Sequence, residues 1–131
     1  MRVITGTARG RVLKTLEGED VRPTTDRVKE AIFSIIQFEL EGRRVLDLFA
    51  GSGQLGIEAL SRGAAYATFT DMSAESVDIV KKNLISTKLE NNAEVIRTEA
   101  VTFLKGNRKK YDSNICISWT INIRCRSGRY D

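Results

Sequence analysis

The sequence has no histidine, one proline, one tryptophan and two cysteines among 131 residues. Each scarcity removes chemistry. Without an imidazole there is no Ser-His or Cys-His nucleophile pair. A zinc site takes about four soft or imidazole ligands. Cys116 and Cys125 fall short of that, so no metal is expected and both are read as unpaired thiols of a reducing compartment. No apolar stretch approaches the ~20 residues of a membrane-spanning helix. The start, MRVITGTARGRVLK, alternates polar and apolar residues where a signal peptide would run basic and then apolar. The expectation is a cytoplasmic chain with no membrane partner.

What remains reads as one globular α/β domain over residues 1–131, 41% hydrophobic and 29% charged. A chain of this length can bury ~65–70% of its unfolded surface. The net charge of +4 is concentrated early: residues 1–29 carry seven basic side chains against four acidic ones. That balance suits a polyanionic partner such as nucleic acid, although many ordinary enzymes share it. Lys81, Lys82, Lys109 and Lys110 are read as solvated faces.

The hydrophobic period divides the chain. Residues 1–42 read as short strands and turns, then a helix opened by Pro23 and capped by Thr25 or Asp26. Its inward face is expected to hold Val28, Ala31, Ile32, Ile35, Ile36 and Leu40. Residues 43–112 form the core. A buried strand is expected over Arg44 to Phe49 and a helix over Gln54 to Arg62. AYATFTD makes a second strand, and a helix capped by Ser73 turns Val77, Val80 and Leu84 inward. AEVIRT makes a third strand and EAVTFLK a short helix. This βαβαβ order opens a doubly wound, Rossmann-like nucleotide-binding sheet. Residues 113–131 are an atypical tail. A fourth strand is expected there, but the helices and strands that normally follow are absent.

The stretch VLDLFAGSGQLGIEALSRG carries the functional signal. In an open parallel sheet ligands bind at the carboxyl ends of the strands, where helix N-termini present free N–H groups. Gly51 and Gly53 leave bare backbone there. With Gly56 they match a dinucleotide fingerprint, a match we attribute to the coincidence of Gly56. Asp47 precedes the loop, and a carboxylate there repels phosphate and attracts a cation. Asp71, at the tip of the second strand, can accept from a ribose diol. The set favours S-adenosylmethionine over NAD, with other nucleotide-binding Rossmann chains as the alternative.

VLDLFAGSGQLGIEALSRGA together with VRPTTDRVKEAIFSII resembles the bacterial 16S rRNA guanine-N2 methyltransferases, the ribosomal RNA small subunit methyltransferase D family, from about Arg2 to Asp112. The resemblance implies a seven-stranded class I fold with S-adenosylmethionine as donor. It implies a guanine exocyclic amine in 16S ribosomal RNA, free or in an assembling small subunit, as acceptor. By position it implies that Asp47, Phe49, Ala50, Gly51 and Gly53 surround the methionine part of the cofactor. Asp71 then binds ribose, Met72 lies beside the adenine, and Glu99-Ala100 stands near the adenine amine. Arg22, Thr24, Thr25 and Arg27 match the upstream motif and are expected over the cofactor mouth, docking RNA.

The family's chemistry follows the fourth strand, in an Asp-Pro-Pro-Tyr type motif. Acceptors there hold a weakly nucleophilic amine in line with the methyl group while an aromatic ring clamps the base. The single proline here is Pro23, so that motif is absent and no catalytic residue is assigned. The tail after Asp112 departs from the family and is expected to be a truncated or out-of-frame ending. Two rival functions stay open. One is a DNA amino-methyltransferase; the other is a non-catalytic remnant that binds cofactor or RNA.

Overall fold

The computed structural model describes residues 2–15, 23–111 and 115–117. Helix α1 spans Pro23–Leu40, so it begins at the proline and includes Thr25 and Asp26 in its first turn. Proline suits that position because its missing N–H would have no intrahelical partner there. The strands are β1 (Arg44–Asp47), β2 (Tyr66–Asp71), β3 (Ala93–Arg97) and β4 (Ile115–Ile117), in the spatial order β3-β2-β1-β4. All three pairings are parallel. Helices α2 (Gln54–Ser61), α3 (Ala74–Ser86) and α4 (Ala100–Tyr111) make the crossovers.

The two faces of the sheet are covered by different helices. One core gathers Phe33, Ile36 and Leu40 of α1 with Leu55, Ile57 and Leu60 of α2 and Val80 and Leu84 of α3, over Val45, Ala67, Phe69 and Ile115. The other packs Ala100 and Phe103 of α4 against Leu46, Leu48 and Cys116. Because β1 contributes to both, its residues 45–47 are buried on each side, as a central parallel strand requires. Order reverses between β1 and β4, and such a reversal is where open α/β sheets hold ligands.

Several expectations need correction. Strand β1 ends at Asp47, and Phe49 lies beyond it with φ 54°. Helix α4 runs on to Tyr111 past Gly106, which has open space around it. Among the described residues the opening strands reduce to one antiparallel bridge, Arg2 with Val12. The buried face of α1 is rotated: Lys29 and Phe33 are enclosed, while Val28 and Ile35 are exposed. The cause is an ion pair, because Lys29 reaches Glu58 of α2 at 3.1 Å with both side chains fully enclosed. Cys116 is disulfide-bonded, contrary to the free thiol expected.

The N-terminal segment is fastened to the helices. Glu58 accepts the amides of Ile4 at 2.8 Å and Thr5 at 3.0 Å, and Arg62 binds its other side at 2.9 Å. Ser61 Oγ donates to the Thr5 carbonyl and accepts the Ala8 amide. These bonds satisfy a buried carboxylate fully, the condition under which one is tolerated.

Candidate functional site

The turn after β1 is latched to the end of β2. The Ala50 amide donates to the Thr70 carbonyl at 2.9 Å, and the Gly51 amide donates to Asp71 Oδ2 at 3.0 Å. Asp71 Oδ1 accepts the Ser73 amide at 2.9 Å. Each Asp71 oxygen keeps a lone pair, and the side chain is half-buried, so it can still accept from a hydroxyl pair. Gly51 and Gly53 adopt φ of 60° and 83°, in the left-handed region that favours glycine.

Asp47 lies beneath the turn. It is 1% exposed, and its Oδ2 accepts the Gly56 amide at 3.0 Å. Burial pushes its carboxyl well above the usual value; the Gly56 N–H lowers it in part, and the charge of Asp71 raises it further. The residues we expected at the site therefore fall at different depths. Asp47 is enclosed, Ala50 is buried, Gly51 and Asp71 are half-buried, and Phe49 and Met72 are exposed.

Gly56 is no coincidence of spacing. A Cβ on it would enter the Phe69 ring and lie 3.1 Å from Asp47 Oδ2, so α2 can approach β2 this closely only at a glycine. The signal was in the sequence: the third glycine of such fingerprints serves helix–strand packing. Asn83 was also missed, a buried polar residue of α3 that donates to the Ser52 carbonyl inside the turn.

Met72 is held through its carbonyl, which accepts from Arg97 Nε at 3.0 Å. Glu99 caps α4: its carbonyl accepts the Phe103 amide, and its side chain accepts from Thr102 at 3.2 Å. Ala100 is buried on the α4 side of the sheet. Arg27 is exposed on α1; Arg22 lies outside the described residues, and Thr24 and Thr25 are in the first turn of α1. Among the described residues no group of three potential metal ligands occurs. No helix there is long and apolar enough to cross a membrane.

A parallel sheet with a reversal at β1, a glycine turn and an acid at the tip of β2 defines the fold class of the S-adenosylmethionine-dependent methyltransferases. One of that class, from Agrobacterium tumefaciens, shares the fold at a TM-score of 0.63 and 21% identity, over 75% of this chain and 32% of that one. The chain belongs to the family described as conserved hypothetical protein 95, whose model matches residues 1–117. Its relatives include the ribosomal RNA small subunit methyltransferase D of Haemophilus influenzae, 44% identical over 80% of this chain and 55% of the relative. The Escherichia coli K12 protein of the same name is 43% identical over 79% of this chain and 52% of the relative. A hypothetical protein from Thermus thermophilus superposes with a TM-score of 0.75 at 30% identity, covering 90% of this chain and 67% of that one. The chain thus spans little more than half the length of these two curated relatives.

Proposed function

We propose that this chain binds S-adenosylmethionine at the glycine turn and belongs to an enzyme that methylates small-subunit ribosomal RNA in the cytoplasm. The observation that carries the reading is the Asp71 carboxylate. It is fixed by the Gly51 and Ser73 amides at the end of β2, with room left to accept a ribose diol. The left-handed turn at Gly51 and Gly53 would present its backbone to the methionine portion, with the enclosed Asp47 beneath it. Phe49, Ala50 and Met72 border this cleft, with Glu99 and Ala100 at the adenine end. The names of the relatives support ribosomal RNA as substrate.

The acceptor in this reading is the N2 amine of a guanine. Bound S-adenosylmethionine would supply an electrophilic methyl group to that amine, whose proton would pass to solvent. Arg22, Thr24, Thr25 and Arg27 would dock the RNA over the cleft. The expected test is calorimetry with S-adenosylhomocysteine. Asp71→Ala should weaken binding by about ten- to a hundredfold, the range for losing hydrogen bonds to a charged group. Equal binding by the variant and the wild type would refute the site.

A second reading, binding without turnover, is favoured by one sequence fact. With Pro23 as its only proline, this chain has no Asp-Pro-Pro-Tyr motif to hold the target amine. We expect no methyl transfer from the purified 131-residue chain to a 16S ribosomal RNA fragment.

A further inference from the structure

Asn83 sits in α3 with 1% exposure, and its side-chain amide is fully engaged. Nδ2 donates to the carbonyls of Ser52 and Lys14, each at 2.9 Å. Oδ1 accepts the Lys14 amide at 2.7 Å. Both hydrogens of the group are therefore taken up by two carbonyls from different parts of the chain, one in the glycine turn and one in the basic N-terminal segment. Val80, one helical turn earlier on the same face, backs the turn from behind. A Cβ on Gly53 would lie 3.2 Å from both of its methyl groups. Helix α3 thus braces the turn at two points: Val80 sets how near it lies and Asn83 sets how its peptide planes are oriented.

A helix does not need asparagine at an interior position, where leucine or alanine has the better propensity. The turn uses it, because through this side chain the buried Ser52 carbonyl meets the backbone of Lys14, and an unmet buried group is costly. We propose that Asn83 is a positioning residue for the cofactor: it orients the Gly51–Gly53 turn and couples that turn to the seating of the N-terminal segment at Lys14. The proposal rests on the cofactor reading above. Coupling between two sites is reciprocal, so whatever holds the N-terminal segment in place tightens cofactor binding, and the cofactor in turn holds the segment. An RNA that docks on the basic N-terminal face would then favour loading of the methyl donor.

Asn83→Asp separates this role from mere anchoring. The change preserves shape but presents a carboxylate, which only accepts, to two carbonyls. Burial favours its protonated form, which regains one donor. S-adenosylhomocysteine affinity of the 131-residue chain, measured by calorimetry from pH 5 to pH 8, should fall at least tenfold in this variant at pH 8. It should recover part of that loss at pH 5 relative to the wild type measured at the same pH, which removes any common effect of Asp47 titration. A purely anchoring asparagine would lower thermal stability and leave the affinity of the folded protein alone. Lys14→Pro deletes the amide donated to Asn83 at a position whose own side chain is exposed, and in a folded protein should weaken binding several-fold. It decides the matter if Asn83→Asp does not fold. Wild-type affinity in a folded variant at both pH values overturns the inference and leaves the cofactor site standing. Absence of binding by the wild type overturns the cofactor reading, and this inference with it.

Discussion

Asp47 is held in a position that costs the fold stability at neutral pH. Its carboxyl is pushed well above the usual 3.8, chiefly by burial. An acid raised in this way binds its proton more tightly in the folded state than in the unfolded one. Its stabilising contribution is complete below about pH 3.8 and is lost as pH rises through the raised value. Asparagine at this position keeps an acceptor for the Gly56 amide without the buried charge. Asp47→Asn should therefore be more stable than the wild type at pH 7, with the difference shrinking toward pH 4. Denaturant unfolding at the two pH values measures this, and a gap that does not depend on pH would show that the charge is tolerated.

At the scale of elements, the Glu58 cluster joins three pieces of chain that share no sequence neighbourhood. It binds Lys29 from α1, Arg62 from the end of α2, and the amides of Ile4 and Thr5. Breaking one partner of a buried pair leaves an uncompensated charge, at about 3–5 kcal/mol. Glu58→Gln should lower stability by that order and should expose the bonds after Arg9 and Arg11 to trypsin before the rest of the molecule. Thermal unfolding and limited proteolysis read the two effects. This cluster also explains what the sequence revealed about α1 and what it did not. Its helical period and its proline start were legible in local pattern. Its buried face was not, because Lys29 turns inward only when Glu58, twenty-nine residues later, is there to meet it. The glycine turn and the acid at the tip of β2 were legible because backbone conformation and strand ends leave local marks. The braces behind them, Asn83 and Gly56, depend on contacts across α3 and Phe69 that no short window contains.

At the scale of the whole molecule, the flank of α1 that carries Val28, Ile35 and Phe38 is exposed, with Phe38 94% open to solvent. A contiguous apolar strip of this kind promotes association. Phe38→Lys should raise the solubility limit several-fold and change stability by no more than about 0.5 kcal/mol, since the side chain packs on nothing. Light scattering beside thermal unfolding checks both halves of that expectation. The order of the strands has its own consequence for how the molecule comes into being. Val45 of β1 pairs with Ala67 on one side and with Ile115 on the other. As the chain leaves the ribosome, the β3-β2-β1 part can therefore assemble while one margin of β1 is still bare. That margin closes only when Ile115 to Ile117 emerge, and until then it offers unpaired backbone groups to any other strand.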